Sequence, residues 1–303
     1  MHLPPTKVVP GYSPVTMSRG SVTSTNRQPS TDFMAMQKLV QRCFKSSRVA
    51  LQSIEEMPGH LHRLRLLVLS DGSRLVLKLS PPPNQGVLRH ERHSLDTTAI
   101  VLELLRSNTS TQFPQIVKWD ERGKTLGSPL LLTTYTYGTS LRDLLPHMNK
   151  NERHSTDRQM GKLMAAISRH TSPSFGSVAA VYSGKGFSSW RQAFRCLFES
   201  ILRDAEDSLV SLPYPEIREQ VERFGPILDH VTEPRLVVST GRDPASVLLD
   251  SQTKEIVGLL DFGNAVWGDV HMLEPFADPS KAFLEGFGTC LERNGAERIR
   301  QQL

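Results

Sequence analysis

The segment from Arg235 to Asp269 constrains this chain more than any other. It opens on the apolar run Arg235-Leu-Val-Val and the loop Ser239 to Ser246. Val247-Leu-Leu, the polar turn Asp250-Ser-Gln-Thr and Ile256-Val-Gly-Leu-Leu follow, ending at Asp261-Phe262-Gly263 and then Trp267-Gly268-Asp269. Runs this short, rich in Val, Ile and Leu and bounded by turn residues, read as strands rather than helices. The order is strand, loop, strand, turn, strand, then a carboxylate at a strand exit.

The rest of the chain reads as strands first and helices later. Residues 1–33 are rich in Pro, Ser and Thr and read as a disordered tail. Met1 to Thr31 carries Lys7, Arg19 and Arg27 but no acidic residue, a transit-peptide trait, yet its five prolines oppose an amphipathic helix. The tail has no apolar stretch of the kind that directs secretion. Phe33 to Phe44 has apolar residues at helical spacing, and Val49 to Ile54 reads as a strand. After a loop from Glu55 to His60, Leu64–Leu69 and Arg74–Leu79 form a hairpin turned by Ser70-Asp71-Gly72-Ser73. Pro81-Pro82-Pro83 stops its second strand, which the chain cannot continue without backbone donors. Ser94–Leu105 is an amphipathic helix, Pro129–Tyr135 a strand, and Tyr137-Gly-Thr-Ser-Leu141 a hinge. From Asp157 helices dominate until the strands near Leu236. This predicts an α+β, two-lobe chain: a tail at 1–33, a small β-rich N-terminal lobe at 34–136 and a larger, mainly helical C-terminal lobe at 137–303.

Composition narrows the classes of function. No apolar run approaches the ~20 residues of a membrane span. Three widely spaced cysteines, Cys43, Cys196 and Cys290, give neither a disulfide framework nor a metal spacing, which points to a reducing, cytoplasmic setting. The net charge of +5 invites anionic partners. Its densest stretch, Leu88-Arg-His-Glu-Arg-His93, is broken by Glu91 and lacks interleaved aromatics, so it reads as a solvated face and not a nucleic-acid site.

Motif fragments recur in a fixed order: Leu77-Lys78, Gly161 with Leu163, Phe175-Gly176, Ser189-Trp190-Arg191, Asp261-Phe262-Gly263, Trp267-Gly268-Asp269 and Phe283-Leu-Glu-Gly-Phe287. In that order and spacing, roughly over residues 40 to 290, the chain resembles the aminoglycoside phosphotransferase and choline kinase-like family, which has the protein-kinase-like fold. The resemblance implies ATP and Mg²⁺ as cofactors. Strand alternation puts Val76 and Lys78 on one face, opposite Leu75, Leu77 and Leu79. The resemblance assigns Val76 to the adenine and Lys78 to the α- and β-phosphates, although a solvent-facing lysine on an edge strand fits the same alternation. The glutamate that holds this lysine in the family falls on Thr98, with Asp96 on another helix face and Glu91 a turn upstream. The phosphate-covering loop, Glu55 to Arg63, contains only Gly59.

By the same resemblance Asp261 is the metal-binding aspartate. The family's loop reads roughly H-G-D-x-x-P-x-N, and with Pro244 aligned, Gly241 falls on the Asp and Ser246 on the Asn. Glycine accepts no proton, and a serine hydroxyl is a shorter, poorer metal ligand. Asp243 becomes the base only if the loop shifts by two residues, and Arg242 beside it pairs with phosphate or with Asp243. Glu274 meets a cationic substrate or sits at a helix start, and the chain's end at Leu303 implies either an acceptor pocket cut open or an incomplete gene model. The leading expectation is thus a catalytically impaired, pseudokinase-like phosphotransferase with a binding or accessory role, in secondary metabolism by analogy. An active ATP-dependent kinase of a small hydroxyl compound and a scaffold without nucleotide are the alternatives. The sequence leaves the small-molecule or protein partner unnamed.

Overall fold

A computed structural model describes residues 31–59, 61–82, 84–106, 113–239, 243–288 and 300. The expected tail, His60, Gly241, Arg242 and Cys290 lie outside the described residues, as does the side chain of Glu274.

Helix α1 (Thr31–Phe44) precedes strands β1 (Leu51–Met57), β2 (Arg63–Leu69) and β3 (Arg74–Leu79). Helix α2 (Ser94–Leu105), β4 (Ile116–Asp120) and β5 (Leu130–Thr134) complete the first lobe. Its five strands are antiparallel in the order β1-β2-β3-β5-β4. The hairpin forms because Asp71 accepts the Ser73 N–H at 2.9 Å, fixing the tight turn. Alternation sorts the two sheet faces. Leu75, Leu77, Leu79, Leu130 and Leu132 are buried against Met36, Leu39 and Val40 of α1, each leucine supplying about 2 kcal/mol. Val76 and Lys78, opposite Thr133 and Leu131 on β5, face the other way. Since β3 is a central strand and Lys78 is largely buried, the edge-strand reading of this lysine is overturned.

The second lobe begins after Gly138 with β6 (Thr139–Ser140), the short helix α3 (Leu141–Leu144) and α4 (Lys150–Ile167). Then come β7 (Gly176–Ser177), α5 (Val178–Tyr182), α6 (Trp190–Asp207) and α7 (Tyr214–Phe224). Strands β8 (Arg235–Val237), β9 (Val247–Leu249), β10 (Ile256–Leu259) and β11 (Val266–Gly268) lead to α8 (Lys281–Phe287). The strands near Leu236 belong to two small sheets, β10-β9-β6 and β7-β11-β8. Strands of three residues carry no signal for their partner; β8 reaches past its neighbour to pair with β11.

Two of the ordered sequence fragments meet their partners at glycines. A Cβ on Gly161 of α4 would come within 2.2 Å of the Phe283 carbonyl on α8, so only glycine lets these helices touch backbone to backbone. A Cβ on Gly268 would lie 2.6 Å from the ring of Trp190, which is 1% exposed.

Within the basic stretch Leu88–His93, Arg92 and His93 are exposed as a solvated face requires, but Arg89 is not. The Arg89 backbone N–H donates to Asp204 Oδ2 at 2.8 Å, its guanidinium pairs with the same buried carboxylate, and it reaches Asp207 at 2.7 Å. The segment between β3 and α2 is thereby tied to α6 of the other lobe.

Candidate functional site

The lobes enclose a cavity of about 470 Å³. Met57, Leu64 and Val76 form its apolar roof, Leu248 and Leu260 its floor, and the chain from Thr133 to Gly138 its back edge. This slot between aliphatic side chains suits an aromatic ring system, and Lys78, Thr98, Ser140, Arg142 and Asp143 add polar groups to its lining.

Lys78 enters there because β3 alternation turns it away from α1. Its Nζ donates to the Leu260 carbonyl at 3.4 Å, beside Asp261. Burial lowers the Lys78 pKa, and the nearby Asp261 carboxylate opposes that shift. Asp261 leaves β10 exposed to solvent, its Oδ1 accepting the Gly263 N–H at 3.1 Å. Phe262 turns inward, fully buried, against Phe113. Ser246 sits next to Asp261 because the Leu260 N–H donates to the Ser246 carbonyl at 3.0 Å, continuing the β9–β10 pairing. Val76 and Lys78 line the cavity and Asp261 lies beside Lys78, while Ser246 is tied by its backbone to Leu260, the residue before Asp261.

Asp243 is near but committed. Its Oδ1 accepts the Ala245 N–H at 2.9 Å, capping the 3-10 turn Pro244–Ser246, and also takes the Arg142 guanidinium at 2.5 Å. The acidic groups of the α2 region are equally occupied. Thr98 bonds back to the Ser94 carbonyl at 2.8 Å, Asp96 accepts from Trp119 Nε1 at 3.2 Å, and Glu91 caps its own turn through the Leu88 N–H. Neither Asp96 nor Glu91 replaces a carboxylate at Thr98. Among the described residues no three His, Cys, Asp or Glu side chains cluster as a metal cage.

His62, which by its place in the polar loop Glu55 to Arg63 reads as solvated, is instead drawn into the structure. It is mostly buried, and its Nε2 lies 2.8 Å from Ser94 Oγ. Its Nδ1 is buried without a hydrogen-bond partner. Burial first, and then the Lys78 charge, pull its pKa down to about 4, against weaker opposition from the Leu79 carbonyl and Asp261. The folded pKa lies below the ordinary histidine value, so the unfolded chain takes up the proton first as pH falls. Stability is full above pH 6.5 and falls by about 3 kcal/mol on acidification to about pH 4. Denaturant titrations at neutral and acid pH should show this loss, and His62→Gln should remove it. Equal slopes for both proteins would refute the assignment.

The family profile of the phosphotransferase enzyme family matches residues 53–272. The APH(2")-IIa ternary complex with streptomycin and ATP superposes with a TM-score of 0.56 at 11% identity, over 91% of this chain and 86% of that one. The GDP and kanamycin complex of APH(2")-IIia gives 0.56 at 17% identity, over 88% and 86%. The apoenzyme of macrolide 2'-phosphotransferase MphH from Brachybacterium faecium gives 0.51 at 18% identity, over 88% and 86%. At these identities the likeness is one of fold, the two-lobe kinase-like fold. No curated protein matches the sequence. Among the described residues no helix is long and apolar enough to cross a membrane.

Proposed function

Because the chain belongs to the phosphotransferase enzyme family, we propose that its cleft binds ATP with Mg²⁺ while phosphoryl transfer is lost or very weak, leaving a binding or accessory role. The observation that carries this reading is an asymmetry within one site. Lys78 and Asp261 lie beside one another at the cleft, whereas among the described residues the nearby carboxylates of Asp143 and Asp243 already accept hydrogen bonds from Ser140 and Arg142. Gly241, at the base position of the family pattern, has no side chain, and Asp243 is held by Arg142 and by its own turn.

The residues fit Mg²⁺ in a limited way. A hard cation that keeps several waters needs only one or two protein oxygens plus phosphate. The exposed Asp261 carboxylate, with the Ser246 hydroxyl in the turn that precedes β9, would offer that donor set. When bound with nucleotide, the ion supplies charge neutralisation at the β- and γ-phosphates. Val76 and Leu248 hold the base by apolar contact, and the Lys78 ammonium, its charge favoured by Asp261, orients phosphate oxygens.

Calorimetry of ATP with and without Mg²⁺ tests the reading on the full chain. Binding is expected to need Mg²⁺ and to disappear in Lys78→Ala and Asp261→Ala, with phosphate release at background. Sustained turnover would overturn the impairment; no binding up to millimolar ATP would assign the cleft to another ligand.

A further inference from the structure

Two segments distant in sequence, the β1–β2 loop and the turn at Gly263, converge on Ser94, the first residue of α2. Ser94 is buried, and its hydroxyl shares the 2.8 Å hydrogen bond with His62 from the loop between β1 and β2. Its carbonyl takes the Thr98 hydroxyl. Its Cβ presses on Gly263, where an added Cβ would lie 3.0 Å from Ser94 Cβ and 3.6 Å from Asp261 Oδ1. The loop is delivered inward by a tight fold: a Cβ on Gly59 would come within 2.5 Å of the His62 carbonyl.

We propose that His62 is a positioning residue of the nucleotide cleft, clasping the β1–β2 loop to Ser94 and thereby holding the loop, α2 and the Asp261–Gly263 turn in register around Lys78. The proposal rests on the nucleotide reading above. Its physical basis is what α2 lacks. With Thr98, Asp96 and Glu91 all turned to local partners, no charge on or just before this helix ties it to Lys78. The described hydrogen bond that joins the loop beneath the roof of the cleft to α2 is the one through His62. An imidazole suits this place because in its neutral form it bonds Ser94 without setting a second cation beside Lys78. Its buried, unsatisfied Nδ1 leaves a further polar atom in the surroundings of Lys78 and Asp261.

The test is a double-mutant cycle on Mg²⁺-dependent ATP affinity, using the full chain. His62→Ala and Ser94→Ala are each expected to weaken binding about ten-fold, the size of one lost buried hydrogen bond. The double variant should be no weaker than either single one, because both remove the same link. His62→Gln, whose amide reaches the position of Nε2, should bind like the parent chain, and its melting temperature without ATP should match that of the parent. Rescue by Gln distinguishes positioning from mere filling of space, and if His62→Ala does not fold, Ser94→Ala and His62→Gln carry the comparison. Additive losses, or single variants within about two-fold of the parent, would overturn the clasp and leave nucleotide binding standing. A parent chain that binds no ATP would remove both.

Discussion

Gly241→Asp combined with Ser246→Asn is expected to raise Mg²⁺-dependent release of phosphate from ATP by ~100- to ~10,000-fold, the range contributed by a positioned general base. The attacking oxygen, from water or an alcohol, must shed a proton as it bonds to phosphorus. In the present chain the nearest candidate acceptor in the sequence pattern is Asp243, and its Oδ1 already receives two donors, the Arg142 guanidinium and the Ala245 N–H. Turning it into the cleft would uncap the Pro244–Ser246 turn and strand Arg142. Ser246 contributes one hydroxyl beside Asp261, where an asparagine side chain would extend further toward a shared ion. The two substitutions therefore supply what the family pattern has and this chain lacks, on a scaffold that already brings Lys78 and Asp261 together. Asp243→Ala is expected to leave the rate unchanged in both backgrounds. Phosphate release followed in a continuous coupled assay decides the matter. An unchanged rate in the double variant would place the defect elsewhere, in the orientation of Lys78 for example. A parent rate that collapses in Asp243→Ala would make Asp243 the base after all.

What the sequence carried and what it hid divide along sequence distance. The hairpin at Ser70–Ser73 and the helix Ser94–Leu105 were legible residue for residue, because turn chemistry and apolar periodicity are local. The face of β3 was legible for the same reason, and it placed Val76 and Lys78 in the cleft. The carboxylate at the exit of β10 was legible as well, through its setting in Asp-Phe-Gly. The links that hold these parts in place were not. Arg89 meets Asp204 across 115 residues, His62 meets Ser94 across 32, and Arg142 meets Asp243 across 101. In each pair neither segment carries a local sign of its distant partner. Arg89 sat in a charged stretch that resembles a solvated face; nothing in its neighbours announces a buried acid on α6. Asp243 shows the reverse case, a carboxylate that looks available in sequence and is occupied in space.

Arg300→Ala is expected to cost about 3 to 5 kcal/mol, the usual penalty for removing one partner of a buried pair. That is a large share of the ~5 to 15 kcal/mol that holds a domain together. Asp269 follows β11, is 5% exposed and accepts three donors: the His271 N–H at 3.0 Å, His271 Nδ1 at 2.9 Å and Arg300 Nε at 2.9 Å. Burial alone would raise the Asp269 pKa, but the His271 hydrogen bonds and the Arg300 charge prevail and hold it below the ordinary carboxylate value. The sign follows from that depression. The stabilisation is present above the unfolded value near 3.8 and is lost as pH falls through the lower folded one. Without Arg300 the carboxylate stays buried with weaker compensation, so the loss should appear at neutral pH and extend the acid-sensitive range upward. Arg300→Lys, which keeps the charge but not the planar Nε–H, should fall between the two. The consequence reaches the cleft, because β11 begins three residues after Gly263, and the Ala265 N–H is bonded to the Phe262 carbonyl. Loosening Asp269 therefore loosens the turn that presents Asp261, and ATP affinity should drop along with stability. Chemical denaturation and calorimetry on the same preparations test both halves. An Arg300→Ala protein within about 0.5 kcal/mol of the parent, the range of an ordinary surface change, would show that this contact does not anchor the turn.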